Sequence, residues 1–220
     1  MLQKNLIFCK NCYLIFLFFY SSFAFAADKI LLFESNIHIQ NNHSLLISEI
    51  ISTYQSTPQQ GLFFTRSLPL TLSNSNQQWV YEVQKVLLNN EKVPYQTEIK
   101  NNQFIILITP PANHFTPGIY LYNVEYQAKR AVDKTNIKNE LTWNSTGNWP
   151  SPLLKASIQV DLPEEMIPSK YSGYTNENNQ KRKKFVSRLI SPSQITYLTT
   201  EPLLPGESLI IAIEWQKKFT

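Results

Sequence analysis

The residues able to do chemistry are few and scattered along the chain. Three histidines, His38, His43 and His114, fall in a strand-like segment, a turn and a proline-rich loop. A metal ion needs several ligands at recognisable spacing, and these have none. No metal site and no cofactor are expected. No nucleophile elbow, phosphate-binding loop or zinc-protease helix occurs in the sequence. Glu164-Glu165 is the only adjacent acidic pair, and neighbouring carboxylates in a loop are normally solvated. Carboxylates for glycoside hydrolysis would have to come together from distant strands. The expectation is therefore no catalytic residue and no enzyme.

Three other clusters invite a reading. Cys9 and Cys12 form a C-x-x-C, the spacing of redox and thiolate-metal sites. Lys181-Arg182-Lys183-Lys184 is a basic run that would be drawn to anionic headgroups or an envelope polymer; the plainer reading is a solvated loop tip. Trp143 and Trp149 bracket Asn-Ser-Thr-Gly-Asn, a turn whose rings could stack on a sugar or peptide, although large aromatics near strand ends more often cover core. These six residues, Trp143, Trp149 and the four basic ones, are the binding candidates.

The first 26 residues bear on the cysteines. Lys4 and Lys10 form a positive front, Tyr13 to Tyr20 an apolar centre, and Ala24-Phe25-Ala26 a small-x-small box. That is the layout of a secretion signal. The apolar stretch falls short of the ~20 residues that cross a bilayer core. Removal of residues 1–26 takes away both cysteines, so the mature chain is expected to contain no disulfide. The protein is expected to be exported, periplasmic or otherwise extracytoplasmic, and membrane-associated.

Composition narrows the partners. The whole chain has 220 residues, 43% apolar, with 20 Lys plus Arg against 16 Asp plus Glu and a net charge of +4. Without the leader the count is 18 to 16, so no charge argument for nucleic acid survives. The expected partner is an envelope protein or a membrane component. Enough apolar residue is present for an ordinary core.

What must position any site is a set of strands. In Leu154 to Leu162 every second residue is apolar, which on a strand puts one face on a core and one in water. Tyr120 to Ala128 and Leu209 to Trp215 repeat the pattern. Asn41-Asn42, Asn89-Asn90 and Asn101-Asn102 separate strand-like runs, and Asn tolerates the positive φ of tight hairpins. Trp79, Val83, Val86 and Leu87 would fit a helical face, but the β-branched and aromatic content favours a strand. Seven strands are expected between Lys29 and Val132: 30–40, 44–53, 63–70, 79–88, 94–100, 104–109 and 119–132. Four more follow at 140–144, 153–162, 185–198 and 209–216, with a long polar loop over 163–184. Tyr120 is placed to bond backbone upstream as a tyrosine corner. The fold class is all-β, an immunoglobulin-like antiparallel β-sandwich with a smaller second sheet as an extension. Residues 27–134 would be the sandwich core, and 135–220 a β extension of it or a small second β domain.

Gly61, Arg66 and Pro69, the 120–132 strand ending in Lys129-Arg130-Ala131-Val132, Trp143-Asn144 with Thr146-Gly147 and Trp149, Lys155 to Pro163, and Pro202 to Leu209 together resemble the YciQ-like family of bacterial membrane proteins, whose outward-facing N-terminal part is domain of unknown function 2207. The resemblance covers nearly the whole mature chain. It implies an outward-facing β-rich domain here without the membrane helices. It carries no reaction, so the expected role is a non-catalytic interaction or structural domain of the envelope. A carbohydrate-binding module using Trp143, Trp149 or Trp215, or an envelope hydrolase, is the rival.

Overall fold

The computed structural model describes residues 28–56, 64–71, 78–109, 116–131, 139–177 and 180–217. The first 27 residues with Cys9 and Cys12, Gly61 and His114 lie outside them. Fifteen strands are described: β1 Lys29–Ile39, β2 Leu45–Gln55, β3 Phe64–Pro69, β4 Gln78–Leu88, β5 Glu91–Lys92, β6 Tyr95–Lys100, β7 Gln103–Ile108, β8 Gly118–Ala131, β9 Glu140–Asn144, β10 Ala156–Asp161, β11 Met166–Glu177, β12 Gln180–Arg182, β13 Phe185–Ser191, β14 Gln194–Thr199 and β15 Ser208–Lys217.

They make an all-β sandwich. One layer is an eight-stranded sheet in the order β13-β14-β10-β1-β2-β8-β4-β5; the other is built from a four-stranded sheet, β12-β11-β15-β9, and a three-stranded sheet, β3-β7-β6. Alternation decides which way each strand faces. On β1, Phe33, Ser35, Ile37 and Ile39 are buried while Glu34, Asn36 and His38 are exposed. Both small sheets meet the same inward rows. Phe64 of β3 stacks on Tyr122 of β8 at 3.9 Å, and Trp143 of β9 packs edge-on against Trp79 of β4 at 5.3 Å. Burying a side chain such as Phe33 completely contributes roughly 1.5–3 kcal/mol, and thirty-odd such residues form one continuous core. Strands from both halves of the chain share the large sheet, because β10 lies beside β1 and carries β14 and β13 with it.

Several local expectations meet their structure here. Asn89-Asn90 and Asn101-Asn102 each have φ between 51° and 69° and close two-residue hairpins, Leu88 opposite Glu91 and Lys100 opposite Gln103. Both central residues positive is the geometry whose twist matches paired strands. The 79–88 segment is a strand, and its helix-like spacing has a cause. A bulge between Val83 and Lys85 shifts the register, so Trp79 and Tyr81 point inward before it and Val86 and Leu88 after it. The Tyr120 hydroxyl donates to Thr116 O at 2.5 Å, as a tyrosine corner does.

Four expectations are corrected. In the first hairpin the positive φ falls on His43, at 63°, rather than on Asn41 or Asn42; the Asn42 side chain instead accepts from Ser44 N at 3.0 Å. The span 163–184 is not a loop. It holds β11, paired with β15 along its length, and the short β12. Its polar composition hid it because Pro168 and Gly173 interrupt the pattern and most of its side chains are only half buried. A side chain at Gly173 would come within 2.7 Å of Ile210 O, with the Phe185 ring next at 3.2 Å, so the strand needs glycine there. Residues 185–198 are two strands, β13 and β14, turned at Pro192-Ser193. Finally, the large sheet is not wholly antiparallel, because β1 and β10 run parallel from Phe33–Ala156 to His38–Asp161.

Candidate functional site

The densest polar cluster among the described residues sits inside the sandwich. On β2 the inward row is Leu45, Ile47, Glu49, Ile51 and Thr53, so period two alone sends a carboxylate into the core. On β3 the row Phe64, Arg66, Leu68 does the same with a guanidinium from the opposite layer. Glu49 is 0% and Arg66 1% exposed. They meet in a two-pronged pair: Arg66 Nε donates to Glu49 Oε2 and Nη2 to Oε1, both at 2.7 Å. Tyr126, diagonal to Glu49 on the neighbouring β8, donates its hydroxyl to Glu49 Oε1 at 2.7 Å.

Every remaining donor of Arg66 finds a carbonyl. Nη1 donates to Ser67 O at 3.0 Å and Thr146 O at 3.2 Å, and Nη2 to Ser145 O at 3.3 Å. With the two bonds to Glu49 this engages all five N–H groups of a guanidinium. The Phe33 and Trp149 ring centres lie 5.4 and 5.5 Å from its central carbon. A charge-assisted, two-pronged bond is among the stronger kinds available. Here it clamps the 145–149 loop and β3 onto the large sheet.

The loop itself is wired to receive the arginine. Gly147 N donates to Asn144 Oδ1 at 3.0 Å, Trp149 Nε1 to Thr146 O at 2.8 Å, and Leu209 N to Thr146 Oγ1 at 2.9 Å. Gly147 has φ +73°, and a Cβ there would stand 2.2 Å from Arg66 Nη1.

Protonation follows burial and charge. Burial by itself pushes the Arg66 guanidinium down, but the charge and hydrogen bonds of Glu49 outweigh it and hold it above its ordinary value. Burial, with the Glu49 carboxylate adding to it, drives Tyr126 well above 10.0. Burial raises Tyr81 too, against an opposing pull from Arg66, and lifts Tyr122 to about 12. Unfolded tyrosines ionise near 10, so above that pH the unfolded chain binds fewer protons than the folded one and stability falls. The expected result is an unfolding free energy that declines from about pH 10 upward, each raised tyrosine adding up to about 1.4 kcal/mol per pH unit. Tyr126→Phe should make that decline shallower in urea titrations; an unchanged slope would contradict the assignment.

The other sequence candidates are dispersed. Trp143 and Trp149 are 1% and 6% exposed, and Trp215 5%. They are therefore corrected from ligand-stacking candidates to core, since no ring face is open to a sugar. Trp149 packs against Phe64 at 5.6 Å and Phe33 at 6.3 Å. The basic run divides. Lys181, Arg182 and Lys183 are exposed, with the Lys181 ammonium 4.3 Å from the Tyr174 ring centre. Lys184 turns in, bonding both carboxylate oxygens of buried Glu207 at 3.0 and 3.1 Å, and Glu207 also accepts from Leu204 N. Lys184 thus leaves the surface cluster and fastens the turn before β15. His38 lies on the outer face beside Asp161, Nδ1 to Oδ2 2.9 Å, and His43 Nε2 sits 3.1 Å from Asn139 Oδ1. Glu164 and Glu165 are exposed in the turn before β11.

Sequence reading missed Glu49 as half of a buried pair and noticed Arg66 only for its place in a motif. The available signal was a charged residue standing in an otherwise apolar inward row, once on β2 and once on β3.

The family model for the N-terminal domain of a predicted membrane protein, DUF2207, matches residues 29–215. A search among curated proteins finds no sequence match. Among solved structures, a candidate protease from Parabacteroides distasonis superposes with a TM-score of 0.50 at 8% identity, over 85% of this chain and 41% of that one. Leukotriene A4 hydrolase from Saccharomyces cerevisiae gives 0.49 at 10% identity, over 85% and 29%. An M1 zinc metallopeptidase from Deinococcus radiodurans gives 0.44 at 12%, over 84% and 42%. The first shows a shared fold and nothing about activity. The chain spans less than half the length of each.

Proposed function

The chain belongs to the DUF2207 family, the N-terminal domain of predicted membrane proteins, and from that premise we propose that it is a non-catalytic interaction or structural domain on the outer side of a cell-envelope membrane. The observation that carries this reading is how the polar and aromatic residues are used. Glu49, Arg66 and Tyr126 direct their charged and hydroxyl groups at one another and at backbone inside the core, and the large aromatic rings fill the space around them. A catalytic group must be within reach of a substrate atom. These instead hold two layers and a loop together. The export signal read from residues 1–26 supports an extracytoplasmic location, and the family supports a membrane neighbour.

The test is fractionation of cells expressing the tagged full chain, followed by protease treatment of intact spheroplasts. Recovery with the membrane fraction, together with digestion by external protease, is the expected result. Cytosolic protein retaining its leader would overturn the location. Hydrolysis of an envelope glycan or peptide by the purified protein would overturn the non-catalytic part.

A further inference from the structure

At one end of the sandwich the two layers part around an open groove of about 470 Å³, lined by Ile167 and Pro168 of β11 and by Leu189, Ile190, Ser191 and Pro192 of β13 and its turn. A bulge between Leu189 and Ser191 throws Ile190 out of register. Ile190 is 58% and Leu189 46% exposed. β13 is also the outermost strand of the eight-stranded sheet. Apolar side chains aligned on an open edge invite a partner, and soluble proteins usually blunt such edges with charge.

The position of the groove says which partner. Ile167 stands directly across from Gln216, and Met166 from Lys217, at the end of β15. The turn at Ser193 is tied to the same end through Leu162 N and Ser193 O at 2.8 Å. The family match closes at residue 215, and it is the match of an N-terminal domain of membrane proteins, so in the family the membrane part follows β15. The basic hairpin lies at the other end, where Asn176 of β11 faces Ser208 at the start of β15. A ten-residue strand separates the two by about 30 Å. A bilayer met end-on at the close of β15 therefore reaches the groove and not the hairpin.

We infer that the groove of Ile167, Pro168, Leu189 and Ile190 rests on the lipid bilayer surface at the point where the family's chain continues into the membrane, with the Lys181–Lys183 hairpin directed away from it. This inference rests on the membrane-held reading above. The patch is small and would not retain a free protein on lipid. Beside a tethered strand end it docks as an intramolecular contact, at the high effective concentration that a short linkage provides. The charged groups around it are of both signs, Glu164, Glu165 and Arg188 among them, all exposed, and Lys170 is matched to Glu214 at 3.4 Å. Docking is therefore apolar and indifferent to lipid charge.

The test uses the full chain in a Cys9→Ser, Cys12→Ser background, with a carboxy-terminal hexahistidine tether bound to phosphatidylcholine vesicles containing a nickel-chelating lipid. Ile190→Cys, Ile99→Cys and Lys181→Cys are each labelled with a polarity-sensitive fluorophore. The expected result is a several-fold emission rise at position 190, quenched by a nitroxide-bearing lipid, with positions 99 and 181 unchanged. The same rise on vesicles containing phosphatidylglycerol is also expected. An unmoved label at 190, or a response at 181 instead, would overturn the inference. A rise at 190 that follows protein concentration without vesicles would overturn it in favour of a second copy. Because the tether supplies the membrane, these outcomes are separate from the fractionation result.

Discussion

Replacing Arg66 with alanine is expected to cost the fold about 3–5 kcal/mol, the range measured when one partner of a buried ion pair is removed. The reason is what stays behind. Glu49 is 0% exposed, and without Arg66 its carboxylate would keep only the Tyr126 hydroxyl. A buried charge with one neutral donor is far less well solvated than in water. The carbonyls of Ser67 and Ser145 would lose the guanidinium's bonds at the same time, and Thr146 O would keep only the bond from Trp149 Nε1. Against a total stability of roughly 5–15 kcal/mol for a protein domain, this is a large share. A second variant isolates the charge from the volume: Glu49→Leu with Arg66→Met should recover the part of the loss that comes from the stranded carboxylate, because a buried pair replaced by well-packed apolar groups is often neutral or stabilising. Urea midpoints of the two variants decide the matter. If Arg66→Ala alone moved the stability by less than about 1 kcal/mol, the pair would not be the clamp described.

The second large effect is expected at Gly147. At φ +73° any L residue is strained, and the new Cβ would fall 2.2 Å from Arg66 Nη1. The strain contributes about 1–3 kcal/mol. The collision adds to it, because Arg66 has no free direction to move: its five donors are engaged and it is closed in by Phe33 and Trp149. Gly147→Ala should therefore destabilise strongly in the native background. It should cost less once Arg66→Met, with Glu49→Leu, has removed the guanidinium. That difference is a coupling energy, of the 0.5–3 kcal/mol size found between residues in contact. Identical costs in both backgrounds would mean the backbone strain acts alone and the loop does not seat the arginine.

Both predictions concern residues that the sequence grouped without explaining. Arg66, Thr146, Gly147 and Trp149 stand in two motifs 80 residues apart, and the structure brings them into one contact. The tryptophan bracket thus serves a buried arginine rather than an external ligand. Of the basic run, Lys184 is consumed by Glu207 while Lys181, Arg182 and Lys183 remain outside. Four like residues in a row gave no hint of that division, because which of them turns inward depends on a carboxylate 23 positions later.

The all-β class, most strand positions, the Asn89-Asn90 and Asn101-Asn102 hairpins and the facing of the rows 120–128, 156–162 and 209–215 were legible in the sequence, since all of these follow from period two and from the φ that asparagine tolerates. The sequence carried the family through motifs spread along the chain. Pairing across distance came from the packed whole: the parallel contact of β1 with β10, the polar β11 that sheet neighbours rather than its own pattern hold as a strand, and the meeting of Glu49 with Arg66. Local patterning fixes which way a side chain points. What it meets there depends on which strands lie opposite, and that is set by the packing of the whole core.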